Sequence, residues 1–156
     1  MSSPAIVAVI TGRPDSLEAV RWAAWLSQHN GLPLTVVHAY HGTPAGPARA
    51  RLRGEHDSEE RARAREWLRA ALDESPSLPF DLRLVVMEGD IEDAVDPCLN
   101  EDGVLVTGSQ GPAGLVSRGS RVRRCPVVVV PAARAAAGPC HDSPVRRMEL
   151  VSGVPA

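Results

Sequence analysis

The chain has 156 residues, a formal net charge of −2 and 44% hydrophobic residues, which predicts one globular domain that buries its own core. All 17 basic residues are arginine, so a Walker-type phosphate-binding lysine, a Schiff-base lysine and a lysine nucleophile are excluded. The charge is too close to neutral to favour general binding to nucleic acid or to a membrane surface. The first apolar run, residues 5–10, is too short for a signal peptide or a membrane span, which predicts a cytoplasmic protein.

The first half of the chain alternates strand and helix patterns. Residues 5–10 predict a buried strand, and Asp15 predicts the cap of a helix that runs to about His29 and ends at Asn30-Gly31. Residues 34–38 predict a second strand. The Gly/Pro/Arg-rich segment 41–57 predicts a long loop, and a helix is expected from residue 57 or 58 to residue 74.

The second half repeats this alternation. Residues 81–87 predict a third strand, and a helix capped by Asp90 and shortened or kinked by Pro97 follows it. Residues 104–106 and 127–130 predict two strands buried on both faces. The strand–helix order predicts an α/β fold: a single-domain, open, twisted, parallel five-stranded sheet flanked by helices, of the Rossmann-like type.

The domain is expected to span residues 1–131. Residues 132–156 form an Ala/Pro/Arg-rich C-terminal tail, predicted to be flexible, in which 145–151 is the only stretch expected to dock.

A glycine-rich segment separates the last two predicted strands. It contains Gly108, Ser109, Gly111, Gly119, Ser120 and Arg121. Such a turn at the carboxyl end of a parallel strand brings backbone N–H groups close to an anion. Four arginines between residues 118 and 124 either hold phosphate or lie on the exposed side of a short terminal helix, and the sequence leaves both interpretations open.

These residues carry a resemblance to a known family. Gly108-Ser109-Gln110-Gly111 and Cys125-Pro126-Val127 resemble the glycine loop and the last strand of the universal stress proteins, and residues 18–24 and 34–38 are similar to that family's first helix and second strand. The resemblance implies the same fold, a homodimer formed through the last strand (Val127, Val128, Val129 and Val130), and an ATP or AMP site. It places Thr11, Gly12, His38 and the glycine segment at that site.

Two departures from the family pattern weaken the nucleotide site. Thr11 stands where the family has an aspartate beside the nucleotide's adenine and ribose. Only seven residues separate Gly111 from Gly119, and four separate Ser120 from Cys125, so the loop and helix are contracted in either possible register. The degenerate site favours no bound cofactor.

Two functions remain open. The first is a homodimeric interaction or regulatory protein for stress response, with a possible further protein partner. The second is an ATP- or AMP-binding sensor that uses the Gly108–Ser120 loop. An enzyme is not expected, because no nucleophile-elbow motif accompanies the serines near glycine. A metal or zinc site is not expected either, because the three cysteines form no CxxC pair.

Overall fold

The computed structural model describes residues 4–42, 46–73, 81–109, 125–131 and 149–151. Within these ranges the elements follow one another as β1 (Ile6–Val9), α1 (Pro14–Asn30), β2 (Leu34–Tyr40), α2 (Arg49–Leu72), β3 (Leu82–Glu88), α3 (Ile91–Val95), β4 (Val104–Gly108), β5 (Val127–Val130) and β6 (Glu149–Val151).

One sheet contains all of these strands, in the order β3-β2-β1-β4-β5-β6. The first five are parallel to one another, which confirms the predicted five-stranded α/β fold. β6 comes from the C-terminal tail and adds an antiparallel sixth strand beside β5. Successive strands are added on one side of β1 up to β3 and on its other side from β4 onward, so the strand order changes direction between β1 and β4. In open α/β sheets, ligands bind beyond the carboxyl ends of the strands at such a point.

The two faces of the sheet pack against different helices. Ile6, Ala8 and Ile10 of the β1 region belong to the core that α1 and α2 cover, whereas Val7 and Val9 belong to the core that α3 covers. This alternation follows from the two-residue period of a strand. Both sets are almost fully buried, as expected for a parallel sheet with helices on both faces.

The prediction of a loop over residues 41–57 is wrong for its second part, because α2 begins at Arg49. The segment 51–55 is exposed on all sides, so it carries no hydrophobic periodicity that would indicate a helix. Apart from Gly54 its residues are good helix formers, and Arg51 pairs with Glu55 one turn later at 3.2 Å.

Of the other two helices, only the start of α1 differs from the prediction. Arg13 is the N-cap of α1 with Pro14 at the first helical position, so Asp15 lies inside the first turn and is buried. Gly31 ends α1 in the left-handed conformation, as predicted. α3 has only five residues, and it ends before Pro97, whose ring and missing N–H do not fit a helix interior.

The last strand of the family pattern, β5, through which a homodimer is expected, is not at the edge of the sheet in this structure. Val127, Val128 and Val129 pair with Val151, Leu150 and Glu149 of β6. β5 therefore lies between β4 and β6. β6 falls within the only stretch of the tail that was expected to dock.

Candidate functional site

The turn after β1 is held together by its own side chains. The Ser16 hydroxyl accepts a hydrogen bond from the Thr11 backbone N–H at 2.6 Å and donates to the Val9 carbonyl at 3.2 Å. The Thr11 hydroxyl accepts the backbone N–H of Arg13 at 3.3 Å. Thr11 therefore shapes the turn and brings no negative charge to it.

His38 connects β2 to β1 and to α2. Its Nδ1 lies 3.2 Å from the Ile10 carbonyl oxygen, and its Nε2 lies 2.9 Å from Glu60 Oε2. A carbonyl oxygen only accepts hydrogen bonds, so Nδ1 donates to Ile10 and Nε2 faces the Glu60 carboxyl group. Both side chains are 8% exposed, which makes this a buried pair, and Glu60 also accepts from Arg63 at 3.0 Å.

Trp67 closes the same side of the turn. Its ring stands edge-on to the His38 ring at a centroid distance of 5.2 Å. It also lies so close to Gly12 that an added Cβ would sit 2.9 Å from the indole Cζ2. The structure thus gives Gly12 a packing role beneath α2, and it commits both nitrogens of His38 to protein partners.

At the carboxyl end of β4, Gly108 packs directly on the first turn of α1. An added Cβ at Gly108 would overlap the Asp15 carboxylate. Ser109 is exposed and donates its backbone N–H to the Val130 carbonyl at 2.9 Å. The other predicted loop residues, Gly111, Gly119, Ser120 and Arg121, lie outside the described residues.

A cavity of about 340 Å³ opens at the carboxyl ends of β1, β2 and β3. It brings together the predicted residues Thr11 and His38, whereas Gly12 and Gly108 do not line it. Its wall consists of Val9, Ile10, Thr11, His38, Ala39, His41, Gly89, Asp90, Ile91 and Glu92. The cavity lies beyond the carboxyl ends of parallel strands, where open α/β sheets bind ligands, but on the β2 side of β1 and not between β1 and β4.

The charged groups at this cavity were missed by sequence reasoning. The sequence predicts Asp90 only as a helix cap and His41 only as part of a loop, and Glu92 follows in the helix that Asp90 caps. His41 Nε2 lies 3.6 Å from Asp90 Oδ1, and both of these side chains are exposed. Their positions directly after β2 and β3 could have indicated that they lie together, because the carboxyl ends of parallel strands meet at one edge of the sheet.

A second, more open depression of about 400 Å³ lies between the first turns of α2 and the carboxyl end of β3. There the Tyr40 hydroxyl donates to Asp57 Oδ1 at 2.9 Å, and Arg53 pairs with Glu88 at 2.9 Å. Burial, and then the hydrogen bond to Asp57, raise the pKa of Tyr40 to about 12.

The described ranges contain neither a cluster of metal-ligating side chains nor a membrane-spanning helix. The His, Cys, Asp and Glu side chains there form no group of three that could hold a metal ion. Among the same residues, no helix is long and apolar enough to cross a membrane.

Comparison with solved structures gives the same fold. Universal stress protein UspA from Lactobacillus plantarum is 17% identical, with a TM-score of 0.59, and the match covers 83% of this chain and 97% of that one. The Archaeoglobus fulgidus universal stress protein in complex with dAMP is 18% identical, with a TM-score of 0.53 and coverage of 83% and 98%. An Arabidopsis thaliana universal stress protein family member with AMP bound is 14% identical, with a TM-score of 0.52 and coverage of 92% and 99%.

At this level of identity the solved structures show a shared fold and nothing further. No curated protein matches the chain. The model of the universal stress protein family matches residues 4–131, which is most of the chain and covers β1 to β5. The chain therefore belongs to the universal stress protein family.

Proposed function

We propose that this chain is a regulatory or stress-response protein of its family that acts through contacts with a second copy or another protein. Its nucleotide site is degenerate and binds ATP weakly or not at all.

The observation that best supports this proposal is that Thr11 brings no carboxylate to the turn after β1. The family pattern has an aspartate at the position of Thr11. Here the Thr11 hydroxyl accepts a hydrogen bond from the backbone N–H of Arg13 and adds no charge toward the cavity. Losing a charged hydrogen bond costs roughly 1.5–3 kcal/mol, and about 1.4 kcal/mol is a factor of ten in affinity. We therefore expect ATP affinity to fall by one to two orders of magnitude.

The charges around the cavity support the same conclusion. Asp90 and Glu92 bring two carboxylates to its wall, and the cation among its lining residues is His41 when that ring is protonated. Both ring nitrogens of His38 are directed at Ile10 and Glu60. This environment disfavours a polyanionic ligand.

One observation favours the second candidate, an ATP or AMP sensor. The cavity has a volume at the lower end of the range of small-molecule sites and lies beyond the carboxyl ends of parallel strands, the edge at which open α/β sheets bind ligands. The Archaeoglobus fulgidus and Arabidopsis thaliana structures hold dAMP and AMP. A nucleoside monophosphate carries less charge than ATP and would be the better fit among nucleotides.

The nucleotide content of the purified protein separates these two candidates. Protein denatured after purification is analysed by chromatography for released nucleotide, and its absorbance ratio is measured beforehand. We expect no stoichiometric nucleotide. AMP or ATP recovered at about one equivalent per chain would establish the sensor instead.

A further inference from the structure

The outer edge of β5 is occupied by a strand of the same chain. β6 pairs with three of the four β5 residues in an antiparallel register, Val127↔Val151, Val128↔Leu150 and Val129↔Glu149. An unpaired edge strand presents a row of free N–H and C=O groups to any other strand. β6 satisfies those groups within the chain.

We propose that β6 is an intramolecular cap that competes with a second copy of this chain for the β5 edge. The capped chain is a monomer at that edge, and release of β6 opens β5 for association. This inference rests on the proposed function, in which the protein acts through contacts between copies. It adds a mechanism that controls those contacts.

Symmetry makes a second copy the matching occupant. A two-fold axis that brings two β5 edges together places them antiparallel to each other. This is the orientation in which β5 already accepts β6. The run Val127–Val130 also reads the same in both directions, so two copies would place valine opposite valine in either alignment. One backbone edge pairs with one strand at a time, so the two occupants exclude each other.

The cap is small enough to be displaced. β6 has three residues, and short ladders carry few hydrogen bonds. Its advantage is covalent attachment: 17 residues, 132–148, separate it from Pro131, and a tether of such length gives an effective concentration on the order of millimolar. A second copy at micromolar concentration therefore needs either a larger interface or a weakened cap.

The test weakens β6 alone in the full-length chain. Leu150→Pro removes a backbone N–H and disfavours the strand, whereas Leu150→Val keeps the strand and is the matched control. Sedimentation velocity at about 1–100 µM gives the oligomeric state, with circular dichroism to confirm folding. We expect a mainly monomeric parent and L150V, and at least a tenfold tighter dimer for L150P.

A second variant tests the cap even if L150P does not fold. Val129→Cys with Glu149→Cys places two cysteines directly opposite each other, where antiparallel Cα atoms lie within the range that a disulfide spans. Peptide mass mapping verifies the bond against the native cysteines. The oxidised form should stay monomeric at all concentrations, and reduction should restore the parent's behaviour.

The opposite outcomes are distinguishable. Dimers of equal affinity in the parent, in L150P and in the oxidised form would overturn the cap while leaving association between copies intact. Folded monomers throughout would overturn both the cap and the association. A dimeric parent that L150P converts to a monomer would show that β6 builds an interface, which also overturns the cap.

Discussion

The two sides of the carboxyl edge of β1 and β2 differ in how they are filled. On the α2 side, Glu60 and Trp67 pack against His38, and Trp67 also packs against Gly12 of the turn after β1. On the α3 side a cavity of about 340 Å³ stays open. The helices explain the difference, because α2 has 24 residues and α3 has five. We infer that any ligand chemistry belongs to the α3 side and that the α2 side stabilises the turn.

The largest effect is expected from breaking the buried His38–Glu60 pair on the filled side. Glu60→Ala leaves buried His38 Nε2 without its partner and also removes the carboxylate that pairs with Arg63, and losing one partner of a buried pair costs about 3–5 kcal/mol. Urea unfolding measures this loss. The matched control is Glu59→Ala, whose side chain is 74% exposed and whose loss should stay within about 0.5 kcal/mol. Equal effects at the two positions would contradict a structural role for the His38–Glu60 pair.

The next effect comes from inserting one methyl group between the turn and α2. Gly12→Ala places Cβ against the Trp67 indole and should destabilise by about 1–3 kcal/mol through overpacking. Gly54→Ala is the matched control, because Gly54 lies within α2 with open space around it. That substitution should stabilise by about 0.5–1 kcal/mol. Gly12→Ala without loss of stability in urea unfolding would show that Trp67 does not hold the turn.

The sequence predicts the strands and the family, but it does not predict the contacts that distinguish the two sides. The strands were predicted because their β-branched runs are short and bounded by turns, and the glycine-rich segment after β4 led to the family. The His38–Glu60 pair was not, because 22 positions separate the two residues and a charged residue on α2 looks like part of a solvated face. β6 was missed as a strand because its pairing with β5 depends on tertiary context and on no local pattern.

A smaller effect is expected at Tyr40, which lies beside the second depression and donates a hydrogen bond to Asp57. Tyr40 is the single tyrosine of the chain, so the ultraviolet absorbance of tyrosinate reports it alone. With a pKa of about 12 in the folded protein and 10.0 as the ordinary value, the folded state holds the proton more tightly. Folding stability should therefore be unaffected by this group below pH 10 and should fall between pH 10 and 12.

The Asp57→Asn variant tests how far Asp57 contributes to the raised pKa of Tyr40. It removes the charge that helps to keep the phenol protonated, so its tyrosinate midpoint should lie below that of the parent while circular dichroism still shows folded protein. A parent midpoint near 10 in the folded protein would contradict the burial of Tyr40.

The most direct test of the degenerate nucleotide site restores the missing carboxylate. Calorimetry with ATP and magnesium compares the parent with Thr11→Asp, and with Thr11→Asn as the uncharged variant of the same shape. We predict weak or undetectable binding by the parent and by Thr11→Asn, and binding at least tenfold tighter by Thr11→Asp. A low-micromolar dissociation constant for the parent would contradict the account and establish the ATP sensor in its place.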